Sequence, residues 1–509
     1  METTRDTSAR KLREFAEERW WLGDIGETLR LEEQLHTRLL AEGDAAQAAM
    51  RAMRIALMWG TRGDLTLTRA WLGRAERILA GVPECEVHGY AVYLDAVARL
   101  EMGDDPATVA EAVGELGRLA DRFPDRTLES FALMVRGVAA IRSGDLRGFA
   151  SLDEAMLPVI GGHTDPFWGG DIFCSIIHMC EMLGDFGRMR AWTRTLEAWA
   201  SALSSTFLFV GVTRIHQLQL LRAAGEWDVV EREIGEQSAA IADKHGWLAG
   251  AGYYELGEVH RLRGRDDAAR AAYELVRGFG LEPQPGEALL LAAAGDPERA
   301  LEGLLVALAG AGGLERARLI PASARIAAAS GDVDLARQLA DELSATASRF
   351  GTPGLLAGAA RARATCQTSV GDWSGAEESL EDAARTYRQQ GQRLELAEVH
   401  EELAAVHGGR GDSTRAAAAL ATARAIYTSL GATAPLARLD ATNALPAGLT
   451  AREVDVLARV ASGLSNKEVA RALVISDKTV GRHLSNIFTK TGTSSRTAAA
   501  AWAREHRVL

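Results

Sequence analysis

A glycine followed by a charged residue, usually aspartate, recurs through most of this 509-residue chain, and its spacing constrains the fold more than any other feature. The pairs begin at Gly63, Gly103, Gly144, Gly184, Gly225, Gly264, Gly295, Gly331, Gly371 and Gly411. Their successive spacings are 40, 41, 40, 41, 39, 31, 36, 40 and 40 residues. A period near 40 residues is typical of a solenoid in which each repeat is one supersecondary unit.

The residues that follow each pair have the period of a helix. In the last four pairs, small or apolar residues stand five, nine and twelve positions after the glycine, as in Ala376, Leu380 and Ala383 after Gly371. Steps of four and three residues trace one helical face. Glycine suits the left-handed turn that ends a helix, and aspartate can cap the next one. We therefore predict an all-α fold, a superhelix of antiparallel helical hairpins, with no strands.

One repeat resembles a known helical family. Residues 371–383, GDWSGAEESLEDA, look like the second-helix pattern of tetratricopeptide repeats, and Gly225-Glu226-Trp227 is similar. The resemblance covers residues 60–430, with a period longer than the 34 residues usual for that family. It implies that residues 1–432 form a tetratricopeptide-like α-helical repeat domain.

Charge is unevenly distributed along the chain. The net charge is −12, yet residues 448–509 hold ten Lys/Arg and five Asp/Glu, a net +5, which leaves −17 on residues 1–447. This asymmetry indicates a terminal nucleic-acid-binding module behind an acidic body. Between them, Pro435, Asn443 and Pro446 interrupt helical periodicity, so we predict a linker over residues 433–447.

The basic segment contains three helix-start signals. Thr450 with Glu453, and Ser465 with Glu468, are capping boxes, and Ser476 can cap a third helix. The predicted helices cover residues 451–462, 466–473 and 477–491. A short helix, a three-residue turn and a longer helix form a helix-turn-helix unit.

The third of these helices has one apolar and one polar side. Its apolar residues are Val480, Leu484, Ile487 and Phe488. The opposite face carries Lys478, Arg482, Ser485 and Thr489. Cations and hydroxyls on the second helix of such a unit are suited to the major groove, because arginine can bind guanine through two hydrogen bonds. Arg482 lies at the centre of this face, and we predict that it contacts bases.

The same segment resembles the LuxR-type DNA-binding domain in four blocks. The matching residues are Leu449, Thr450, Arg452, Glu453, Gly463, Ser465, Asn466, Lys467, Glu468, Val469, Ala470, Ile475, Ser476, Thr479, Val480, His483, Ser495, Arg496 and Thr497. The resemblance implies a small four-helix domain over residues 448–509 that binds double-stranded DNA. It also implies a transcription regulator that works with RNA polymerase and binds DNA as a homodimer.

The resemblance assigns roles to individual positions. It implies base contacts at Gly481, Arg482 and Ser485, phosphate contacts at Asn466, Lys467, Ser476, Lys478 and Thr479, and dimer contacts at Ala498, Ala499 and Trp502. The chain departs from the family at Gly481, where lysine is commonest, and at Thr491 and Thr493, where the family has aliphatic residues. Trp502 has an alternative reading, as part of the core of its own domain.

LuxR-type domains are usually attached to a sensor, so we expect the repeats to receive a protein, peptide or small-molecule effector. None of the five lysines follows a glycine, so no phosphate-binding P-loop is expected. Dispersed histidines and the lack of a nucleophile elbow argue against an enzyme, and we expect no cofactor or metal. A repeat scaffold whose tail only dimerises is a third possibility. The many aromatics between positions 167 and 273 either line an effector groove or pack between helices.

Two further features concern location. The longest compact apolar run, residues 207–212, is far shorter than the roughly 20 residues that span a bilayer, and the amino terminus has no secretory pattern. Four scattered cysteines suit a reducing compartment. We therefore expect a cytoplasmic protein that does not enter membranes.

Overall fold

A computed structural model describes residues 8–101, 105–203, 207–442, 446–506 and 508. Across these ranges the regular structure is entirely helical, which confirms the predicted fold class. The chain divides into two compact units, Met1–Ala432 and Thr433–Leu509. Over the same ranges, no helix combines the length and apolar character that crossing a bilayer requires.

The first unit contains twenty-two described α-helices and a 3-10 turn, Pro106–Val109. The helices are α1 (Ala9–Trp21), α2 (Ile25–Glu42), α3 (Ala45–Thr61), α4 (Leu65–Leu79), α5 (Val87–Glu101), α6 (Ala110–Arg122), α7 (Arg126–Arg142), α8 (Gly148–Ile160), α9 (Pro166–Met182), α10 (Phe186–Ser201), α11 (Phe207–Ala224), α12 (Trp227–Ile241), α13 (Gly246–Leu262), α14 (Asp266–Gly278), α15 (Gly286–Ala293), α16 (Pro297–Gly310), α17 (Gly313–Ala329), α18 (Val333–Phe350), α19 (Pro353–Ser369), α20 (Trp373–Gln390), α21 (Arg393–Gly409) and α22 (Ser413–Leu430).

The second unit is a short array of helices at the carboxyl end of the chain. Its helices are α23 (Thr433–Thr442), α24 (Ala451–Ala461), α25 (Asn466–Leu473), α26 (Asp477–Thr491) and α27 (Arg496–Glu505), with a 3-10 turn, Pro446–Gly448, after α23.

The glycine-aspartate pairs lie at the bends between paired helices, from α3 and α4 to α21 and α22. Nine of the ten glycines are in the left-handed region, with φ between 65° and 92°, while Gly103 lies outside the described residues. Asp372 and Asp412 cap α20 and α22, each accepting a backbone N–H at 3.0 Å. The prediction of helical hairpins is therefore confirmed.

The predicted helical stripes form the contacts between repeats. Ala376, Leu380 and Ala383 of α20 are all buried to within 1% of complete burial. The corresponding residues Ala416 and Leu420 of α22 remain half-exposed, since α22 is the last helix of the first unit. Burial of apolar area between repeats is the term that stabilises a solenoid, because no hairpin can bury both of its faces alone.

Bends of the first unit that are far apart in the sequence also contact each other. The Thr352 hydroxyl donates to the Leu183 carbonyl oxygen at 2.6 Å, and the Thr61 hydroxyl donates to the Lys244 carbonyl oxygen at 3.4 Å. A Cβ atom placed on Gly184 would lie 2.8 Å from the Cα of Gly354, so two bends are in direct backbone contact. Bends of one superhelical turn therefore pack against bends about 170 to 180 residues later.

Most of the aromatic residues between positions 167 and 273 are core residues. Trp168 and Trp227 are 2% and 1% exposed, and the buried Trp199 donates its indole N–H to the Val159 carbonyl oxygen at 3.1 Å. Partial exposure remains at Trp192, Trp247, Tyr253 and Tyr254, and the side chain of Phe207 lies outside the described residues. Packing between helices, rather than a groove, accounts for the buried members.

The predicted linker needs a correction. Ten of its residues form helix α23, Thr433–Thr442, where the proline pattern predicts irregular chain. Pro435 is the third residue of this helix, in the first turn, where a backbone N–H has no partner within the helix and proline is tolerated. Asn443 lies outside the described residues.

Candidate nucleic-acid interface

Helices α24, α25 and α26 begin where the sequence predicts. The Glu453 N–H donates to the Thr450 hydroxyl at 3.2 Å, and the Thr450 N–H donates to a Glu453 carboxylate oxygen at 2.8 Å. Ser465 and Glu468 form the same reciprocal pair before α25. Both capping boxes are therefore confirmed, and they determine where the first two helices of the domain start.

Helix α26 has the two faces that the sequence predicts. Val480 and Ile487 are fully buried, Leu484 is 7% exposed, and Phe488 packs against the same core. The opposite face is open to solvent and consists of Lys478, Arg482, Ser485 and Thr489. The core extends to residues of α24, α25 and α27, so the exposed face of α26 is held by packing from the other three helices.

The turn between α25 and α26 contains a feature that the sequence does not indicate. Val474 ends α25 with a φ of 55°, in the left-handed region, and its side chain is 91% exposed. A β-branched residue is unfavourable there by roughly 1–2 kcal/mol, because its Cβ crowds the following carbonyl oxygen. The Ile475 N–H completes the turn by donating to the Ala470 carbonyl oxygen at 3.0 Å.

Several cations of this domain are bound to the domain itself. They are Arg452, bonded to the Leu473 carbonyl oxygen, Arg459, bonded to the Asp455 carbonyl oxygen, Lys490, paired with Glu453, Arg496, bonded to Asn466, and Arg504, bonded to the Ala461 carbonyl oxygen. Although burial acts to raise the pKa of Glu453, the Lys490 ammonium at 2.7 Å and the Thr450 N–H hold that pKa below its ordinary value. These contacts hold the five side chains against the domain itself, and among them Lys490 is neutralised by a carboxylate 2.7 Å away.

The other described cations of residues 448–509 lie on two helices. Lys467 and Arg471 of α25, and Lys478 and Arg482 of α26, are exposed and form no ion pair or side-chain hydrogen bond with other described residues. Arg471 lies one turn after Lys467 and was not among the predicted contacts, although its four-residue spacing from Lys467 is visible in the sequence. Among the described residues of the domain, the cations without a bonded partner therefore lie on the helix-turn-helix.

Polar groups at the amino end of α26 are already linked to one another. The Ser476 hydroxyl oxygen accepts the Thr479 N–H at 3.1 Å and lies 2.7 Å from the Thr479 hydroxyl. Asn466, at the start of α25, accepts from Arg496 through its amide oxygen at 3.0 Å. This bond leaves the amide N–H₂ group as the part of Asn466 that can donate to an anion.

The structure shows different surroundings at the two places where the sequence departs from the family pattern. Thr491 and Thr493 bond to each other through their hydroxyls at 2.9 Å, and Thr491 also donates to the Ile487 carbonyl oxygen, so both polar groups are satisfied. A Cβ atom placed on Gly481 meets nothing within 4 Å. No packing within the domain therefore requires a glycine at this position.

The three predicted dimer contacts on the last helix, α27, differ in their exposure. Ala499 is fully buried in the core of its own domain, which removes it from any surface that a second copy could contact. Ala498 and Trp502 keep partial exposure. The Trp502 ring packs against the domain core and stacks on His506, with ring centroids 4.4 Å apart.

The carboxy-terminal helices form a helix-turn-helix whose helices are capped and whose second helix, α26, has an exposed face with two cations. Residues 447–503 match the family described as bacterial regulatory proteins, luxR family. The carboxy-terminal domain of this chain is thus a LuxR-type helix-turn-helix domain.

Two relatives from Bacillus subtilis (strain 168) match the same region. The chain is 50% identical over 60 residues to the uncharacterized transcriptional regulatory protein YhcZ, which is 12% of this chain and 28% of that protein. It is 43% identical over 68 residues to the transcriptional regulatory protein LiaR, which is 13% of this chain and 32% of that protein. The chain thus spans about three-tenths of the length of the curated relatives it matches.

Among solved structures, the crystal structure of the APC/C hetero-tetramer Cut9-Hcn1 is similar over 98% of this chain and 96% of that chain. The TM-score is 0.47 and the sequence identity is 13%.

Proposed function

We propose that this chain is a sequence-specific DNA-binding transcription regulator whose helix α26 enters the major groove. One observation carries the proposal: the unpaired, exposed cations of the domain lie on α25 and α26, while its other described cations are bound within the fold. Free cations on a helix-turn-helix supply both phosphate attraction and base recognition. The names of the matched relatives, which are transcriptional regulatory proteins, agree with this role.

Position along α26 assigns different tasks to its residues. Arg482, at the centre of the exposed face, donates to base edges, with Gly481 and Ser485 beside it. Lys478 lies one turn earlier, near the amino end of the helix, and contacts a phosphate. The two cations therefore separate sequence recognition from general affinity.

The remaining phosphate contacts come from the amino ends of α25 and α26. Lys467 and the amide N–H₂ group of Asn466 lie at the start of α25. When the Thr479 hydroxyl donates to Ser476, the Ser476 hydroxyl hydrogen is free to donate to a phosphate oxygen. The partial positive charge at a helix amino terminus adds to this attraction.

The proposed regulator binds DNA as a homodimer through helix α27. Ala498 and the partly exposed Trp502 supply the contact, and Ala499 supports it from the core. A two-fold dimer requires an operator made of two inverted half-sites, about one helical turn apart.

The helical-repeat body is the input part of the proposed regulator, which acts in the cytoplasm and works with RNA polymerase on DNA. Residues 1–447 carry a net charge of −17, so the body is repelled by the DNA backbone and leaves binding to the basic domain. The effector is a protein, a peptide or a small molecule that binds the repeats. No catalytic role is proposed for the chain.

The proposal is tested by comparing Arg482→Ala with Lys478→Ala. Each variant is titrated with operator DNA, identified beforehand by mapping bound genomic fragments, and with scrambled duplex at two salt concentrations. Arg482→Ala should cost about 1–3 kcal/mol on the operator and relax the preference at one base step. Lys478→Ala should weaken both duplexes by similar factors and reduce the salt slope by about one.

Arg459→Ala is the matched control, because it removes one positive charge that is paired with Asp455 on α24 and leaves the recognition face intact. It should change operator binding little. If Arg482→Ala weakened both duplexes equally while Lys478→Ala changed base preference, the orientation of α26 in the groove would be wrong. Binding that ignores salt would instead favour a scaffold whose tail only dimerises.

A further inference from the structure

A cavity of about 60 Å³ lies inside the first unit, among helices α1, α2, α3, α9 and α11 and the bend before α13. Most of its wall is apolar. The apolar side chains include those of Trp20, Ile25, Met58, Phe167, Phe209 and Val212. A wall of this kind favours the apolar part of a ligand, since it offers contact area but few hydrogen bonds.

One end of the cavity is polar. His245, just before α13, is partly exposed as a residue, but its Nδ1 atom is buried and has no hydrogen-bond partner among the described residues. Burial lowers the pKa of His245 to about 4, so the imidazole is neutral near pH 7 and has one donor and one acceptor nitrogen. Lys244 and Asp171 also line the wall, but the Lys244 ammonium is paired with Asp243 at 2.6 Å and the Asp171 carboxylate accepts the Tyr93 hydroxyl at 2.7 Å. The unsatisfied polar group at the cavity is thus neutral.

Two more unpaired polar atoms lie on α11, next to the wall. The Thr213 hydroxyl follows Val212 directly, and His216 lies one turn after Val212. Both side chains are buried, and neither Thr213 Oγ1 nor His216 Nε2 has a partner among the described residues. Buried polar atoms without partners are unfavourable and are normally satisfied by water or by a ligand. Both atoms belong to the helix that contributes Phe209 and Val212 to the cavity wall.

We propose that this cavity binds a small neutral molecule with a short aliphatic end and one hydroxyl or carbonyl group. The aliphatic end packs against the aromatic rings of the wall, and the oxygen atom pairs with His245. An apolar cavity of about 150 Å³ holds benzene, which has six non-hydrogen atoms, so 60 Å³ has room for roughly two to three non-hydrogen atoms. An unpaired charge would be unfavourable in so apolar a space, which selects a neutral ligand.

A ligand in this cavity would be an effector of the proposed input domain. The proposal rests on the proposed function only in this respect, because binding to the cavity does not depend on DNA. Binding is therefore measured directly on the full chain, without DNA. A failure to bind the ligand leaves the DNA-binding proposal intact, and a failure to bind DNA leaves the cavity intact.

The probe is ethanol, a neutral alcohol with three non-hydrogen atoms, and binding is followed by saturation-transfer difference NMR of its methyl signal. The limit on affinity for so small a ligand places its Kd no tighter than about 0.5 mM, and we expect a saturable signal with a Kd of roughly 1–100 mM. His245→Phe keeps a ring but removes the hydrogen-bonding nitrogens, and it should weaken binding about five- to tenfold.

Val212→Leu fills the cavity and should abolish the saturable signal. Val210→Leu is the matched control, because it is the same change on the same helix at a side chain that is 55% exposed. Thermal melting checks that each variant folds, and Leu57→Phe, which fills the cavity from α3, replaces Val212→Leu if that variant does not fold. An unsaturable signal with the unmodified chain, or equal signals with Val212→Leu and Val210→Leu, would overturn the site. Equal affinity in His245→Phe would overturn the polar contact.

Discussion

A single substitution at Gly481 should change the stability of the domain and its affinity for DNA in opposite directions. Glycine in the middle of a helix costs about 1 kcal/mol relative to alanine. A Cβ atom at this position meets nothing within 4 Å, so Gly481→Ala should recover that amount without any steric cost in the free domain. A gain of about 1 kcal/mol lowers the population of the locally opened helix about fivefold.

The effect on DNA binding should have the opposite sign. Since nothing in the folded domain requires Gly481, we infer that the requirement comes from the duplex, to which the backbone of α26 approaches closely. A methyl group at this position should then lower the affinity for the operator about tenfold or more, because it displaces α26 from the base edges that we propose Arg482 contacts.

The assay for Gly481→Ala combines two measurements on the full chain. Hydrogen exchange of the α26 amides should slow about fivefold, while titration with operator DNA should show the loss of affinity. Thr497→Ala, an exposed substitution on α27 that also raises helix propensity, is the control and should leave operator binding unchanged. If Gly481→Ala bound the operator as tightly as the unmodified chain, close approach of the backbone would be refuted.

Four further outcomes are expected. Residues 446–509 should fold alone and bind duplex DNA in a salt-dependent manner, as circular dichroism and titration would show, because their core is internal to the segment. Trp502→Glu should weaken cooperative binding to an inverted repeat more than binding to one half-site, whereas equal losses would mean that its role is only in the core. The lowered pKa of Glu453 stabilises the domain above its ordinary pKa of 4.5, and this contribution should be lost as the pH falls below that value. In Lys490→Met the pKa of Glu453 should lie closer to its ordinary value or above it, so the stability lost on acidification should be smaller, which melting temperatures measured against pH would show. Val474→Asn should raise the melting temperature of the domain by about 4–8 °C if the left-handed conformation costs about 1 kcal/mol, and an unchanged value would refute that strain.

The candidate site was largely predictable because its signals are local. Capping boxes act over four residues, and the two faces of α26 follow from the helical period, so both could be derived without tertiary contacts. The pairing of each cation was not predictable. Lys490 and Glu453 are 37 residues apart, and only the packed domain brings them to 2.7 Å. The structure adds Arg471 to the exposed cations of the helix-turn-helix and places Ala499 in the domain core, while the DNA and dimer contacts themselves stay predictions.

The body shows the same division between local and distant effects. At most of the bends the helical hairpin follows from two adjacent residues, since glycine supplies the left-handed conformation and aspartate caps the next helix. The contacts between distant bends are different. Thr352 and Leu183 are 169 positions apart, and no local pattern encodes the hydrogen bond between them. The cavity beside His245 has the same origin, because its walls come from segments that meet only after the repeats have stacked. Short-range hydrogen bonding and periodicity thus specify the helices and their bends, whereas packing between distant repeats decides which polar groups are satisfied and which remain free to bind a partner.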